Sequence, residues 1–254
     1  MPGPVLGLVP ARGGSKGIPG KNVRPLLGRT LLEYAARAAA ESGVIDRLVL
    51  STDDAAIAAA GERAGIEVPF LRPPALAADD TPMLPVIEHA VSVLESAGWS
   101  PEIVVLLQPT SPLRRPAHIR AAVERLRRSQ ADSVVTVIEL PRHLSPDYVM
   151  RVDDGRLVPF LPEGAAVTRR QDARPAFVRD GTVYAFWRRT LRDTGSLYGR
   201  VCRPLVLPAS ESLTLDSEDD WREAERRLSL PDGPDGPPLR SPAPVVKTDD
   251  ERVR

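Results

Sequence analysis

Residues 5–22 read VLGLVPARGGSKGIPGKN, an apolar run that leads directly into a glycine-rich loop. The apolar run has the length and composition of a buried strand. The loop, residues 10–22, contains four glycines, whose backbone can approach a ligand closely, and three cations, Arg12, Lys16 and Lys21. Because open α/β sheets bind ligands beyond the carboxyl ends of their strands, this combination predicts a triphosphate site. A solvated basic loop is the alternative interpretation.

Two familiar phosphate-binding loops do not fit this segment. A Walker A loop has four residues between its two glycines, whereas five residues separate Gly14 from Gly20. Asn22 stands where that loop has the Ser or Thr that contacts magnesium. The dinucleotide fingerprint G-x-G-x-x-G does not occur either. The sequence therefore disfavours a P-loop kinase or ATPase.

Beyond the loop, strand-like and helix-like runs alternate along the chain. The predicted strands are Val5–Pro10, Arg47–Thr52, Glu102–Gln108, Ser133–Ile138 and Arg203–Leu207. The predicted helices are Thr30–Ser42, Asp54–Ala64, Pro82–Ala97, Pro116–Ser129 and Ser217–Leu228, the first capped by Thr30 and the last by Ser217. This alternation predicts an α/β fold with a doubly wound, mainly parallel sheet.

The pattern changes after Leu140. Tyr148–Arg151, Gly155–Phe160 and Thr182–Trp187 are typical of short antiparallel strands, which predicts a small lobe inserted at about residues 140–190. Because so thin a lobe has little core of its own, we expect it to form a homodimer interface. Residues 1–230 form the predicted globular domain, and the Pro/Gly-rich residues 231–254 a predicted disordered tail.

Composition excludes several classes of partner. Lys plus Arg equals Asp plus Glu, at 34 each, so no global charge directs the chain to nucleic acid or to an anionic membrane. No stretch approaches the ~18 apolar residues of a membrane span, and the N-terminal apolar run is too short for a signal peptide. The single cysteine, Cys202, fits a reducing compartment. We therefore expect a cytoplasmic protein.

Four segments together resemble a known family. LVPARGGSKGIPGKN at 8–22, STDD at 51–54, LRPPALAADDTP at 71–82 and LLQPTSPLR at 106–114 are similar to those of the acylneuraminate cytidylyltransferases, and the resemblance runs from about Val5 to Leu228. It implies an enzyme that transfers CMP from CTP to an acidic acceptor and releases pyrophosphate. It also implies a Rossmann-like fold, with a small lobe that crosses into a partner subunit of a homodimer.

The resemblance implies a role for each matched residue. The nucleotide-binding residues are Arg12, Gly13, Ser15, Lys16, Asn22, Ser51, Asp53 and Arg72. The acceptor-binding residues are Gln108, Arg170, Gln171 and Tyr184. Lys21, Arg12 and Asp216 are the catalytic residues, with Mg²⁺ as the cofactor and Asp216 as its ligand. Alternative interpretations are a helix N-cap for Asp53, ordinary surface for Arg170 and ordinary core for Tyr184.

Two positions depart from the family pattern. The family's metal motif carries alternating aspartates, whereas Thr214 precedes Asp216 here; Asp180 stands where many sialate enzymes have Asn. These departures leave the acceptor open. A nonulosonic acid of the sialic type is the first expectation, a phosphonate such as phosphonoformate the second and 3-deoxy-manno-octulosonate the third. A nucleotide-binding regulator without turnover is the alternative from a different class.

Overall fold

A computed structural model describes residues 3–14 and 17–230 of the protein. Ser15 and Lys16 of the glycine-rich loop lie outside the described residues, as does the tail 231–254 that the sequence predicts to be disordered. In the part of the chain that the structure describes, no helix is both long enough and apolar enough to cross a bilayer.

The strands form one large and one small sheet. They are β1 (Val5–Pro10), β2 (Arg47–Ser51), β3 (Ile103–Leu106), β4 (Ser133–Glu139), β5 (Met150–Asp153), β6 (Arg156–Pro159), β7 (Phe177–Trp187) and β8 (Cys202–Leu207). The large sheet has the order β2-β1-β3-β7-β4-β8, and β5 pairs with β6 alone. Strands β1, β2 and β3 are parallel, as are β4 and β8, while β7 is antiparallel to both of its neighbours. The predicted α/β sheet, mainly parallel, is confirmed.

The helices are α1 (Leu31–Ser42), α2 (Ala55–Arg63), α3 (Met83–Ser96), α4 (Pro116–Arg128), α5 (Arg188–Thr194) and α6 (Glu218–Leu228). All except α5 lie where the sequence predicts a helix. The predicted N-caps are confirmed, because the side chain of Thr30 accepts a hydrogen bond from Glu33 N and that of Ser217 accepts one from Asp220 N. These caps satisfy amides that a helix leaves without partners, so the helix starts are fixed locally.

Apolar side chains cover both faces of the large sheet. Val5 and Val9 of β1 pack with α1, α2 and α4, whereas Leu6 and Leu8 pack on the opposite face with α3 and α5. Alternation along a strand sends successive side chains to opposite faces, so a strand that is buried along its whole length needs helices on both sides. This arrangement is the doubly wound one that the sequence predicts.

Strand β7 corrects one part of the predicted lobe. The run Thr182–Trp187 was expected in the small lobe, but it belongs to β7, which lies between β3 and β4 in the large sheet. Its residues from Val183 to Phe186 are buried in the main core. The run is antiparallel to its neighbours, as expected, but its partners are distant in sequence. The small sheet consists of β5 and β6.

The segment between β4 and β7 exposes many apolar side chains. Those with large exposed fractions are Leu144, Tyr148, Met150, Val152, Leu157 and Phe160. At its base Arg174 donates to both carboxylate oxygens of Asp147 at 2.5–3.1 Å, which holds the pKa of Asp147 down at about 2. The segment thus has an ordered base and an uncovered apolar hairpin.

Candidate active site

The glycine-rich loop follows β1 and packs against the C-terminal part of the chain. Ile18 of the loop and Leu26, four residues beyond it, are fully buried in a cluster with Leu215 and with Trp221 of α6. A solvated loop would expose these side chains to water, at a cost of roughly 1.5–3 kcal/mol each. The alternative of a merely solvated basic loop is therefore not what the structure shows for its described residues.

Two further contacts join the loop to residues 213–216. A Cβ added at Gly17 would overlap the carbonyl oxygen of Asp216, so the two backbones approach more closely than any other residue at position 17 would permit. The ammonium of Lys21 donates to the carbonyl of Leu215 at 3.1 Å. These contacts bring Asp216 next to a loop that lies almost two hundred residues earlier in the chain.

The charges at this junction influence one another. Burial lowers the pKa of Lys21 most, the nearby Asp216 carboxylate opposes that shift, and Arg12 adds to it. Lys21, Arg12 and Asp216, the three residues assigned to catalysis, therefore lie within electrostatic reach of one another. Asp216 and Asp79 partly neutralise these two cations, so a bound anion would compete with the two carboxylates for Lys21 and Arg12.

Arg12 has an acidic partner in this structure. Its guanidinium forms an ion pair with Asp79 from the loop before α3, and both side chains are about one-third to two-fifths exposed. The side chain of Asn22 donates to the carbonyl of Arg12 at 3.2 Å and is itself buried. Because exposed ion pairs contribute only about 0–1 kcal/mol, a triphosphate can displace Asp79 from Arg12 at little cost.

The predicted residues of the second strand meet beside this loop. Buried Arg72 donates from Nε to the hydroxyl of Ser51 at 3.0 Å and from Nη2 to the carbonyl of Ser51. Burial lowers the pKa of Arg72 most, while Asp53 raises it and Arg12 lowers it. Arg72, Ser51, Asp53 and Arg12 thus form one side of the candidate site.

Asp53 contacts the glycine-rich loop directly. Its carboxylate accepts a hydrogen bond from the backbone of Gly13 at 3.0 Å. The N-cap of α2 is instead Asp54, which accepts from Ala56 N and Ile57 N. The alternative interpretation of Asp53 as that N-cap is therefore wrong, and its carboxylate is used to position the loop.

The predicted acceptor residues are not all brought together. Gln108, at the end of β3, is half-buried and lies beside Gly181 of β7. Tyr184 is a buried core residue of β7 opposite Leu106, and burial raises its pKa. The expectation that Tyr184 lies in the small lobe is wrong, because β7 belongs to the large sheet. Gln108 follows the end of β3 in the same sheet.

Arg170 and Gln171 lie apart from these residues. They belong to a short 3-10 helix, Arg170–Asp172, in the segment between β4 and β7, and both are exposed. Among the residues that the structure describes, neither side chain donates a hydrogen bond to the glycine-rich loop or to Gln108. Within one chain, the two predicted acceptor groups are therefore separate.

Sequence reasoning missed Arg114 near Gln108, and it singled out Asp180 only as a departure from the family pattern, without its burial. Arg114 ends the quoted segment LLQPTSPLR, and Asp180 lies in β7; both are buried. Arg114 follows three apolar or small residues and precedes a helix, but neither feature distinguishes a buried arginine from an exposed one. Only the pairing of β3 with β7, which joins distant parts of the chain, reveals the site that these two residues share.

The metal assignment rests on one carboxylate. Asp216 is exposed at the junction with the loop, whereas the hydroxyl of Thr214 donates to the carbonyl of Asp180 at 2.9 Å. In residues 3–14 and 17–230 no group of three potential protein ligands is arranged to hold a metal ion. Mg²⁺ keeps several waters and commonly uses one or two carboxylates plus substrate phosphates, so one exposed aspartate beside a phosphate loop fits it.

An open α/β sheet with a cationic glycine-rich loop at the carboxyl end of its first strand is typical of nucleotide-binding enzymes. Residues 6–185 match the family described as Cytidylyltransferase. The chain is 33% identical over 229 residues to the CMP-N,N'-diacetyllegionaminic acid synthase of Legionella pneumophila, an alignment that covers 89% of this chain and 97% of that protein. The chain belongs to the cytidylyltransferase family and is an enzyme of the nucleotidyltransferase type.

Other similarities agree with this assignment. The pseudaminic acid cytidylyltransferase of Campylobacter jejuni (serotype O:2) is 27% identical over 220 residues, which are 87% of this chain and 94% of that protein. A solved structure of a CMP:2-keto-3-deoxy-manno-octonic acid synthetase complexed with CTP has a TM-score of 0.67 over 89% of this chain and 98% of its own, at 16% identity. The structural likeness supports the fold. The resemblance inferred from the four sequence segments is confirmed, and the alternative of a non-catalytic regulator loses its support.

The close approach of Gly17 to Asp216 gives a direct test of the junction. Gly17→Ala should lower the free energy of unfolding by about 1–3 kcal/mol, because the added methyl overlaps a backbone carbonyl that no side-chain rotation can move. Gly14→Ala in the same loop is the matched control, since a Cβ there meets nothing within 4 Å. Thermal or urea unfolding of the two variants measures the difference. Equal stability of Gly17→Ala and Gly14→Ala would contradict the described junction.

Proposed function

We propose that this enzyme transfers CMP from CTP to a nonulosonic acid of the sialic type and releases pyrophosphate. The observation that carries the proposal is the junction of the glycine-rich loop with residues 213–216, which places Lys21, Arg12 and Asp216 together in a chain of the cytidylyltransferase family. Relatives named for legionaminic and pseudaminic acids support the choice of acceptor.

The proposed nucleotide site extends across the ends of β1 and β2. Loop amides beyond Gly13, with Ser15, Lys16 and Asn22, bind the phosphates and the nucleoside, while the Gly13 N–H itself donates to Asp53. Arg72 reads the cytosine, supported by its hydrogen bonds to Ser51. Asp53 positions the loop through Gly13. A pocket sized for a pyrimidine excludes purines by steric conflict and by leaving buried polar groups without partners.

In the proposed reaction an oxygen of the acceptor attacks the α-phosphorus of CTP, and a proton carried by that oxygen leaves to water. The new bond to phosphorus forms as the bond to the pyrophosphate oxygen breaks, with the two oxygens roughly in line. Lys21 and Arg12 neutralise negative charge on the α-phosphate and on the leaving pyrophosphate, a kind of interaction typically worth about 2–4 kcal/mol in a transition state. Because the carbonyl of Leu215 holds the ammonium of Lys21, this cation is already oriented before CTP binds.

We propose Mg²⁺ as the cofactor, with Asp216 as the protein residue that would hold it. The ion supplies charge neutralisation for the triphosphate when it is bound. Thr214 contributes no carboxylate, and its hydroxyl faces the carbonyl of Asp180. Metal binding therefore depends on CTP more than it would with two aspartates.

A phosphonate acceptor is the second candidate, favoured by one observation. Asp180 and Thr214, the two departures from the family pattern, are in hydrogen-bond contact with each other through the Asp180 carbonyl. Because this contact uses only the backbone of Asp180, it shows that the two changes are neighbours, and two neighbouring changes near Gln108 are what a change of acceptor would produce. We also propose a cytoplasmic location, which rests on the lone, exposed Cys202 of a chain whose relatives are biosynthetic enzymes.

Pyrophosphate release tests the proposed reaction. The purified protein with Mg²⁺ is mixed with CTP and, in separate assays, N-acetylneuraminate, N,N'-diacetyllegionaminate, pseudaminate or phosphonoformate. We expect release with at least one of the three sugar acids, and at least ~10-fold faster with CTP than with ATP or GTP at equal concentration. Equal rates with CTP and ATP would contradict the proposed cytosine site. Release with phosphonoformate alone would replace the sugar acid by the second candidate.

We further propose that the protein is a homodimer formed through the β5–β6 hairpin. Val152 and Leu157 are directly opposite each other in the hairpin and are 75% and 67% exposed. Burying such a pair against a second copy removes apolar surface from water. The resemblance implies that this lobe crosses into the partner, which would bring Arg170 and Gln171 to the partner's acceptor site.

Light scattering at micromolar concentration should give twice the 27.6 kDa of one chain. The double variant Val152→Asp/Leu157→Asp should be monomeric, because charges on this face cannot be buried without partners. Arg151→Asp/Arg156→Asp is the matched control, since alternation places these two residues on the other face of the same hairpin. A monomeric wild-type protein, or a dimer that both double variants leave intact, would overturn the proposal.

A further inference from the structure

Strand β7 contains a large irregular bulge next to Gln108, at the candidate acceptor site. Val135 pairs with Tyr184 and Val137 with Arg179, so the single residue Thr136 of β4 faces four residues of β7, Asp180–Val183. The hydroxyl of Thr136 closes the gap, accepting from Val183 N at 2.9 Å and donating to Val183 O at 3.1 Å. Bulges of this kind redirect side chains and occur often beside active sites. We call residues 180–183 the β7 bulge.

Arg114 joins the β7 bulge to the end of β3. It is 3% exposed; its Nε donates to the carbonyl of Thr182 at 2.6 Å and its Nη2 donates to the carbonyl of Gln108. Burial lowers its pKa to about 10, and Asp180 opposes the shift, so the guanidinium remains charged at neutral pH. A planar guanidinium can reach two carbonyls at once, which the single ammonium of a lysine cannot do in the same geometry.

The negative charge that balances Arg114 lies in the bulge itself. The carboxylate of Asp180 accepts from the backbone of Thr182 at 3.1 Å and from its hydroxyl at 2.7 Å. A buried charge costs several kcal/mol unless it is paired and hydrogen-bonded. Arg114 holds the carbonyls of Thr182 and Gln108, and Asp180 holds the amide and hydroxyl of Thr182, so the two residues together fix the backbone on both sides of the Gln108 side chain.

The side chain of Gln108 lies directly against the bulge. A Cβ added at Gly181 would come within 2.8 Å of the side-chain oxygen of Gln108, and Gly181 has a φ of +79°, which favours glycine. No side-chain hydrogen bond of Gln108 is found within residues 3–14 and 17–230. The bulge thus sets the direction of an amide that keeps its hydrogen-bonding capacity for a ligand.

We propose that Arg114 is a positioning residue for acceptor selection: with Asp180, it holds the β7 bulge and the end of β3 so that the Gln108 amide faces the acceptor. The inference rests on the proposed function. Arg114 acts on the acceptor and not on CTP because of the strand order. The nucleotide residues follow β1 and β2, whereas Gln108 and the bulge belong to β3 and β7, on the other side of β1.

Steady-state kinetics of Arg114→Lys test this role, with CTP and whichever of N-acetylneuraminate, N,N'-diacetyllegionaminate or pseudaminate the wild-type enzyme uses. We expect the KM for the sugar acid to rise at least ~10-fold, because a lysine cannot hold both carbonyls and the Gln108 amide then loses its direction, while the KM for CTP stays within ~2-fold of wild type. Arg115→Lys, at the adjacent half-buried arginine, is the matched control and should change neither KM.

A second pair of variants tests whether the effect passes through Gln108. Gly181→Ala keeps both Arg114 and Asp180, but it places an alanine at a φ of +79° and crowds the Gln108 side chain, so it should also raise the acceptor KM alone. In a Gln108→Ala background, both Arg114→Lys and Gly181→Ala should have little further effect on that KM, because their common target is gone. If Arg114→Lys does not fold, Gly181→Ala in the two backgrounds decides the question.

The outcomes separate this inference from the proposed function. A wild-type enzyme that releases no pyrophosphate with CTP and any of the three sugar acids overturns the proposed function itself. An active wild-type enzyme whose variants raise both KM values alike, or whose effects add fully to that of Gln108→Ala, overturns the positioning role of Arg114 and leaves the proposed function standing.

Discussion

The packing of the glycine-rich loop against residues 213–216 is the interaction on which the rest of the site depends. A loop with four glycines loses much conformational freedom when it is ordered, and burial of Ile18 and Leu26 beside Trp221 offsets that cost. The same packing carries Asp216 to the loop and holds Lys21 through the carbonyl of Leu215. The charges proposed to act on a triphosphate are thus oriented before it binds, which is the condition for electrostatic stabilisation in a transition state.

The order of strands in the large sheet separates the two halves of the proposed reaction. Residues assigned to the nucleotide follow β1 and β2, whereas two of those assigned to the acceptor, Gln108 and Tyr184, lie just beyond β3 and within β7. Because β1 and β3 are neighbours, the two substrates would meet above them, where the glycine-rich loop begins. The antiparallel β7 gives the acceptor side a bulge that parallel strands rarely carry. The hydrogen bond from Thr214 to Asp180 then connects this side to the segment that carries Asp216.

Local signals explain which parts of the structure the sequence predicts. Helix α1 has its capping box and β1 its apolar run, so both lie where they are expected. Strand β7 belongs to the large sheet because it pairs with β3, some eighty residues earlier. The residues next to β7 in the sequence do not indicate this pairing. The burial of Arg114 is missed for the same reason. Either of the adjacent residues Asp53 and Asp54 could cap α2 by sequence, and the structure shows that Asp54 does so while Asp53 contacts Gly13. Helix caps and apolar runs depend on residues that are close in sequence, so the sequence predicts them. The rest of the site depends on contacts between residues that are far apart in the chain.

The turnover of Asp216→Asn tests the central claim most directly. The rate of pyrophosphate release with saturating CTP and the preferred acceptor is measured over a range of Mg²⁺ concentrations, with Asp219→Asn, a change at a highly exposed aspartate of the same helix region, as control. The account predicts that Asp216→Asn loses at least ~100-fold in rate at every Mg²⁺ concentration, because several kcal/mol of charge stabilisation depend on this carboxylate, while Asp219→Asn behaves as wild type. Normal turnover by Asp216→Asn would contradict the claim that the junction of the loop with residues 213–216 forms the catalytic centre.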